Sequence, residues 1–568
     1  MTELRQQLLC RWQTVPLRWR RLLLLWGPVL ALLLGRILLE ADAISPARLV
    51  FVLLLYWLLA FPLARWAAVT ASLAIEYLLL SVNQIKEAQT GSPLLARDLL
   101  EVAQGVALSS YIIPGMYVAL VILLLSLIVG WYYRTPRSRR RWLLASVPAS
   151  ALPMLLVLQL PLHDSGSWYV RQGLRLLGVQ YHEYNHLVNA RTNGMLAHLF
   201  QTAEVVRPPR AAPHDFYQRQ VEYALPAERP DVVMILCEGC FTSFDDRFPT
   251  AMQQLGQRGF SPFYLISPVY GGGTAEAEFE VLTGLSSAVL PGIDYQSYAQ
   301  DFRRDARTLV SRFRDAGYQT SGLHNFYANF WRRQELYPAF GFTATRFVED
   351  MPWRTRGWPQ DALLYDAALE AYRKSPRKQP NFMFLITVRT HGAFTHEGDD
   401  FGRKDYDLRL GEAMKDMTAF FSALEKEAHK RKRPLAIVVF GDHKPTLTGA
   451  FERAGVLPAS LFLSRGAHND SYRFIPNMNK AQWQARAQSS AYVRLSDPQA
   501  GKALAERLND RPMFCLPAEL AGLVPGQDDA FWRAVLARCR QPVDTLLEHE
   551  PVRWRQTFPL GLYGERLF

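Results

Sequence analysis

Five apolar runs in the first 161 positions limit what this chain can fold into more than any other feature of it: residues 22–40, 48–64, 67–84, 111–132 and 142–161. Each approaches the roughly 20 mainly apolar residues a helix needs to cross a hydrocarbon core of about 30 Å. The first run is not a cleavable leader, because four more follow it and no small-residue cleavage site closes it. Beyond about residue 165 the composition becomes that of a water-soluble domain. The 568 residues therefore divide into an N-terminal α-helical membrane domain of five transmembrane helices (1–161), a connecting stretch (162–227) and a C-terminal domain (228–568). In the connecting stretch, Ser167-Trp168-Tyr169 and the apolar Leu196, Leu199 and Phe200 suggest amphipathic helix lying along a membrane surface, and Pro208 to Pro213 then reads as a linker.

Arginine in short flanking segments is retained on the cytoplasmic side. Arg5, Arg11, Arg18, Arg20 and Arg21 precede the first run, Arg65 follows the second, and Arg134, Arg137, Arg139, Arg140 and Arg141 follow the fourth. The N-terminus is thus expected inside and residue 162 onward outside, in the periplasm of an inner-membrane protein. These eleven arginines less Glu3 supply +10 of the net +12, so the basic balance reflects topology and not a nucleic-acid partner. Charge inside a span is costly, and Arg36 and Glu76 are expected to pair between helices, with a lipid-headgroup site as the alternative. Five cysteines are few; Cys515 and Cys539 can pair in an oxidising compartment. Cys237 and Cys240 form a C-x-x-C with no second pair at zinc-site spacing, which argues against structural zinc or a thioredoxin-like role.

In the C-terminal domain, Val232–Leu236, Phe382–Val388 and Ala436–Phe440 are β-rich runs of the kind buried on both faces, and helical patterns such as Tyr406–Ala428 lie between them. This alternation predicts an α/β fold with a mostly parallel central sheet, whose sites gather beyond the carboxyl ends of its strands. Those ends carry Glu238, Thr390-His391 and Gly441-Asp442-His443. Two carboxylates and an imidazole make a divalent-metal shell. Gly271-Gly272-Gly273-Thr274 opens a further helix, where exposed first-turn N–H groups suit a phosphate and a metal or neighbouring base can activate the Thr hydroxyl as nucleophile. Singly, these pieces also occur as a helix cap, a solvated acid and a turn.

Together, Val-Val-Met-Ile-Leu-Cys-Glu at 232–238, Gly-Gly-Gly-Thr-Ala-Glu-Ala-Glu-Phe-Glu-Val-Leu-Thr-Gly at 271–284 and Gly-Asp-His at 441–443 resemble the lipoteichoic acid synthase-like phosphoglycerol transferases of the alkaline phosphatase and sulfatase superfamily. Asn83 to Leu95 with Asp98-Leu99 resembles that family's outer loop after its third span. The resemblance implies a sulfatase-like fold, Thr274 as nucleophile and metal ligand, and Glu238, Asp442 and His443 completing a shell for one divalent metal, Mn2+ in preference to Zn2+ or Mg2+. It implies substrate contact or proton transfer for His391 and headgroup contacts for His324, Trp331 and Arg333, although Trp331 can equally be core. The donor would be phosphatidylglycerol and the acceptor a glycan or polymer. No carboxylate stands between His324 and Trp331, where the family places a headgroup acid, and Gly239-Cys240 replaces the family's Ser after the metal Glu. A phosphoethanolamine transferase, a headgroup phosphodiesterase and a non-catalytic sensor are the alternatives; a sulfatase would need Cys or Ser at position 274.

Overall fold

The computed structural model describes residues 16–39, 46–96, 98–101, 113–133, 175–176, 178–180, 186–203, 208–209, 211–212, 214–225, 227–289, 298, 301–353, 357–526, 528–542 and 558–568. Two compact units emerge. The first comprises Met1–Ile85 and Pro93–Glu204, the second Lys86–Ser92 and Val205–Phe568.

The first unit is helical: α1 (Leu17–Leu39), α2 (Pro46–Ala60), α3 (Arg65–Thr90), α4 (Pro114–Tyr132), α5 (His186–Asn193) and α6 (Met195–Thr202). Among the described residues, two helices, α3 and α4, are long and apolar enough to cross a membrane; Trp26–Leu39 and Arg48–Ala60 are shorter apolar helices. The fifth expected span, 142–161, and Ser167-Trp168-Tyr169 lie outside the described residues. Helix α3 runs on to Thr90, so the segment from Asn83 expected as an outer loop begins as helix. Arg36 and Glu76 pair as expected, with Nε 2.5 Å from Oε1 and both side chains buried, which neutralises two charges that an apolar helix packing would otherwise expel.

The second unit is built on an eight-stranded sheet in the order β10-β2-β9-β6-β1-β5-β3-β4. Its strands are β1 (Asp231–Cys237), β2 (Ser261–Ile266), β3 (Gln319–His324), β4 (Ala344–Arg346), β5 (Asn381–Ile386), β6 (Leu435–Gly441), β9 (Gln488–Arg494) and β10 (Arg511–Pro512); β7 (Phe462–Ser464) and β8 (Arg473–Phe474) pair separately. The central β6-β1-β5-β3-β4 block is parallel, and β9 runs antiparallel between β6 and β2. The mostly parallel α/β sheet read from the sequence is therefore present.

Successive residues of a strand point to opposite faces, and here each face has its own core. Val232, Met234 and Leu236 enter one cluster with Phe382, Phe384, Val438 and Phe440. Val233, Ile235 and Cys237 enter the other with Met383, Leu385, Ile437 and Val439. The first face is covered by α7 (Thr274–Thr283), α8 (Leu309–Asp315) and the C-terminal helices α12 (Cys515–Leu520) and α13 (Asp529–Cys539), which a Cys515–Cys539 disulfide joins. The second is covered by α10 (Asp361–Lys374) and α11 (Arg403–Arg431), the latter burying Tyr406, Leu410, Met414, Met417, Phe421 and Leu424 on one stripe. Helix α9 (Arg333–Phe340) follows β3. Phe216 and Leu225 are buried in the first core, so part of the stretch that composition marks as linker is folded onto the domain.

Candidate active site

Register places the functional residues. Strand β1 sits between β5 and β6, with Cys237 opposite Gly441 and Leu236 opposite Ile386, so the residues that follow, Glu238, Asp442 and the Thr387–His391 loop, leave the sheet at one edge. His324 ends β3 opposite Ile386 at the same edge. Ligand atoms of Glu238, Asp442 and His443 lie within 4.8 Å of one another, and all three residues are buried. His443 Nε2 is 3.1 Å from Asp442 Oδ2 and 3.6 Å from Glu238 Oε1.

Thr274 reaches this cluster because Gly273 precedes it in the left-handed conformation at φ 90°; a Cβ there would lie 2.9 Å from Val269. Thr274 begins α7, and its Oγ1 donates to Glu238 Oε2 at 3.0 Å. At the far end, Gly284 caps the helix at φ 71°, where a Cβ would meet Trp532 at 2.5 Å. The helix is anchored through its acids. Glu278 pairs with Arg333 at 3.0 Å and accepts from Tyr337 at 2.6 Å, and Glu280 accepts from Ser287.

The donor set fits a divalent cation. Asp442 Oδ1 accepts the N–H groups of Gly239 (2.8 Å) and His443 (3.0 Å), which leaves Oδ2 facing His443. The His443 Nδ1 contact with the Lys444 carbonyl at 2.9 Å makes Nδ1 the protonated nitrogen and Nε2 the donor. Buried Asp442 Oδ2 and His443 Nε2 face one another at 3.1 Å and have no other hydrogen-bond partner. Buried polar atoms without partners are costly, and a cation shared by these oxygens and nitrogen satisfies them. Burial, then the neighbouring Asp442 carboxylate, pushes the Glu238 carboxyl up. Burial alone would depress His443, but Asp442 and Glu238 carry it up to about 9. The same imidazolium holds Asp442 below its usual range against the opposing effect of burial. The site therefore carries a proton that a metal would displace.

Of the other residues expected at the site, His391 is half-buried on the loop after β5. Its Nδ1 is tied to the Gly392 carbonyl at 2.7 Å and its ring lies 4.2 Å from that of Trp358. His324 is buried with Nδ1 on the Ile386 carbonyl, and burial followed by the Arg333 charge holds it well below the ordinary histidine range, so it is neutral. Trp331 lies with φ 52° and its ring 4.9 Å from the Arg333 guanidinium. That guanidinium is itself buried and turned to Glu278.

Several contributors carry no motif. Thr390 Oγ1 donates to the Glu238 carbonyl, and the Glu238 N–H donates to Thr387 Oγ1. Asp361 accepts from the N–H groups of Val388 and Arg389 and so shapes the His391 loop; burial pushes it up to about 6. Glu349 accepts the Ala328 N–H, bringing a carboxylate to a loop with none of its own. Cys237 and Cys240 are joined in a disulfide.

Residues 230–484 match the family described as Sulfatase. Across 404 residues the chain is 30% identical to a candidate cyclic beta-1,2-glucan modification protein of Rhizobium meliloti (strain 1021), a match covering 64% of this chain and 58% of that protein. It is also similar to the lipoteichoic acid synthase LtaP from Listeria monocytogenes, with TM-score 0.39, 17% identity, and coverage of 56% of this chain and 80% of that one. The Streptococcus pyogenes phosphoglycerol transferase GacH, solved with sn-glycerol-1-phosphate, matches with TM-score 0.40 and 15% identity over 62% of this chain and 89% of that one.

Proposed function

We propose that the chain is a membrane-anchored, metal-dependent phosphoglycerol transferase that takes its group from phosphatidylglycerol and passes it, through a phospho-threonine at Thr274, to a periplasmic glycan or polymer hydroxyl. The observation that carries this reading is the Thr274 hydroxyl 3.0 Å from Glu238 at a helix N-terminus, beside the buried Asp442 and His443. The name of the Rhizobium meliloti relative supports a glycan acceptor. Anchoring is supported by α3 and α4 and by the exposed Val118, Leu120, Val121, Leu124, Leu125 and Ile128 of α4. The arginine distribution supports an N-terminus inside and the catalytic domain outside.

Glu238, Thr274, Asp442 and His443 would hold one divalent cation, Mn2+ first, with Zn2+ or Mg2+ as alternatives. When bound, such a cation lowers the cost of ionising a hydroxyl and neutralises charge developing on phosphate oxygens. Thr274 Oγ1 loses its proton along its hydrogen bond to Glu238 and attacks phosphorus. The bond to the diacylglycerol oxygen breaks, and His391 protonates that oxygen. The first N–H groups of α7 face the phosphate. In the second half the acceptor hydroxyl gives its proton to His391 and attacks the phospho-threonine; the phosphorus–Thr274 bond breaks and Thr274 Oγ1 takes back the proton held on Glu238. Neutral His324, its ring 6.0 Å from that of Phe326, suits the uncharged hydroxyls of glycerol.

The test is headgroup-resolved turnover by the full chain with manganese, comparing wild type with Thr274→Ala and weighing the intact protein for an adduct. The expected result is diacylglycerol release by wild type alone and a glycerol-phosphate adduct. Undiminished release by the variant removes Thr274 as nucleophile. A phosphoethanolamine adduct would identify the alternative transferase, and headgroup release that no acceptor alters a hydrolase.

A further inference from the structure

Two carboxylates of the candidate metal site depend on one tetrapeptide, Cys237-Glu238-Gly239-Cys240. Cys237 is the last residue of β1, and its bond to Cys240 closes the loop that presents Glu238. Gly239, left-handed at φ 59°, aims its N–H at Asp442 Oδ1 (2.8 Å), the contact that leaves Oδ2 facing His443. The Cys240 carbonyl packs so tightly on Gly441, the residue before Asp442, that a Cβ there would lie 2.0 Å from it. Thr390 holds the Glu238 carbonyl and also lies against the sulfur of Cys240, Oγ1 to Sγ 3.7 Å. The covalent ring therefore touches the backbone of both acid ligands and the loop leading to His391. Both cysteines are fully buried, which places them out of reach of a thiol-exchange partner.

We infer that the Cys237–Cys240 disulfide is a positioning element of the metal centre: it sets Glu238 directly and Asp442 through the Gly239 N–H, so that tight metal binding requires the oxidised pair. Free thiols stand at van der Waals separation, roughly 3.5–4 Å, and must push the ends of this short loop apart. Metal–ligand distances are held to within about 0.2 Å. The inference rests on the metal-dependent reading above, and it adds that a chain with its thiols reduced assembles the centre poorly before export to an oxidising compartment.

The experiment measures binding of Mn2+ and of Zn2+ by equilibrium dialysis to the full chain in detergent, comparing wild type, Cys237→Ala/Cys240→Ala and, as a control, Cys515→Ala/Cys539→Ala. The first variant should bind about 10–100-fold more weakly, the range for losing a group that orients a ligand. Its turnover should recover at saturating metal with an unchanged KM for lipid. The control should melt earlier yet bind metal as wild type does, because its bond joins α12 to α13 and not the strand ends. Where the first variant does not fold, Cys237→Ser/Cys240→Ser, which nearly keeps the side-chain volume and cannot close the loop, replaces it and should show the same weakening. Wild-type affinity in whichever of the two paired variants folds overturns the inference alone. A wild-type chain that binds neither cation overturns the metal-dependent function, and this inference with it.

Discussion

Replacing Arg333 with Met should unfold the domain more readily than any surface change, and its reversal tests what Arg333 is for. The guanidinium is 3.0 Å from Glu278 Oε2, with the two side chains 1% and 0% exposed. At an effective dielectric of about 20, two unit charges at that distance attract by roughly 5.5 kcal/mol. Removing one partner of a buried pair usually costs about 3–5 kcal/mol, because the other charge stays buried and unmatched. Tyr337 OH, 2.6 Å from Glu278 Oε1, retains one hydrogen bond, which places the expected loss within that range and not above it. The companion Glu278→Gln should cost a similar amount, and Arg333→Met/Glu278→Gln should return to within about 1–2 kcal/mol of wild type, since neutral replacements of buried pairs are often tolerated. Denaturant unfolding of the full chain in micelles, followed by tryptophan fluorescence, reads the cycle. Diacylglycerol release read on the same four proteins separates two roles. If the double variant regains stability and turnover together, Arg333 acts by anchoring α7; if it regains stability alone, Arg333 also contacts the headgroup. A loss below about 1 kcal/mol in Arg333→Met would refute the buried-pair reasoning.

Burial pushes Glu280 from 4.5 up to about 8, so the folded chain keeps a proton that the unfolded chain has released. The stability this contributes is complete below about pH 4.5 and lost as pH rises through 8, on the order of 5 kcal/mol; Glu280→Gln, which keeps an oxygen acceptor for Ser287, should flatten that decline in unfolding experiments between pH 5 and 9. An equal decline in the variant would assign it to other groups. Asp442→Asn keeps an acceptor for the Gly239 N–H but removes a ligand charge, so metal content by elemental analysis should fall at least tenfold while the melting curve of the metal-free chain shifts little; retention of full metal would remove Asp442 from the ligand set.

How much of this was legible follows from how local each cause is. Strands β1, β5 and β6 could be read because a strand buried on both faces must be apolar throughout, and their following residues fixed the candidate ligands. Their order in the sheet was not readable. That β9, from near the far end of the chain, runs antiparallel between β2 and β6 depends on pairings some 50 to 230 residues apart. The helix that overruns Asn83 to Thr90 has no breaker in that interval, so only the glycine at 91, at φ 66°, ends it. Closure of Cys237 on Cys240 leaves no local mark either, since a C-x-x-C pattern serves disulfides, metals and redox exchange alike.

Helix α7 shows best where sequence reading stops and packing takes over. Its sequence, TAEAEFEVLT, places acids at 276, 278 and 280, yet Glu278 and Glu280 are buried. Nothing within these ten residues resolves that conflict. Glu278 is satisfied by an arginine 55 positions away, and Glu280 by Ser287 and by keeping its proton. A helix held by apolar contacts alone can slide or rotate at little cost, whereas one held by a buried charge pair and a buried carboxyl has an angular register that is expensive to change. That register is what presents Thr274 Oγ1 to Glu238. The acids of α7 therefore act on the proposed chemistry through position, and substitutions at 278 or 333 should lower turnover in proportion to how far they free the helix, not to how much charge they remove from the site.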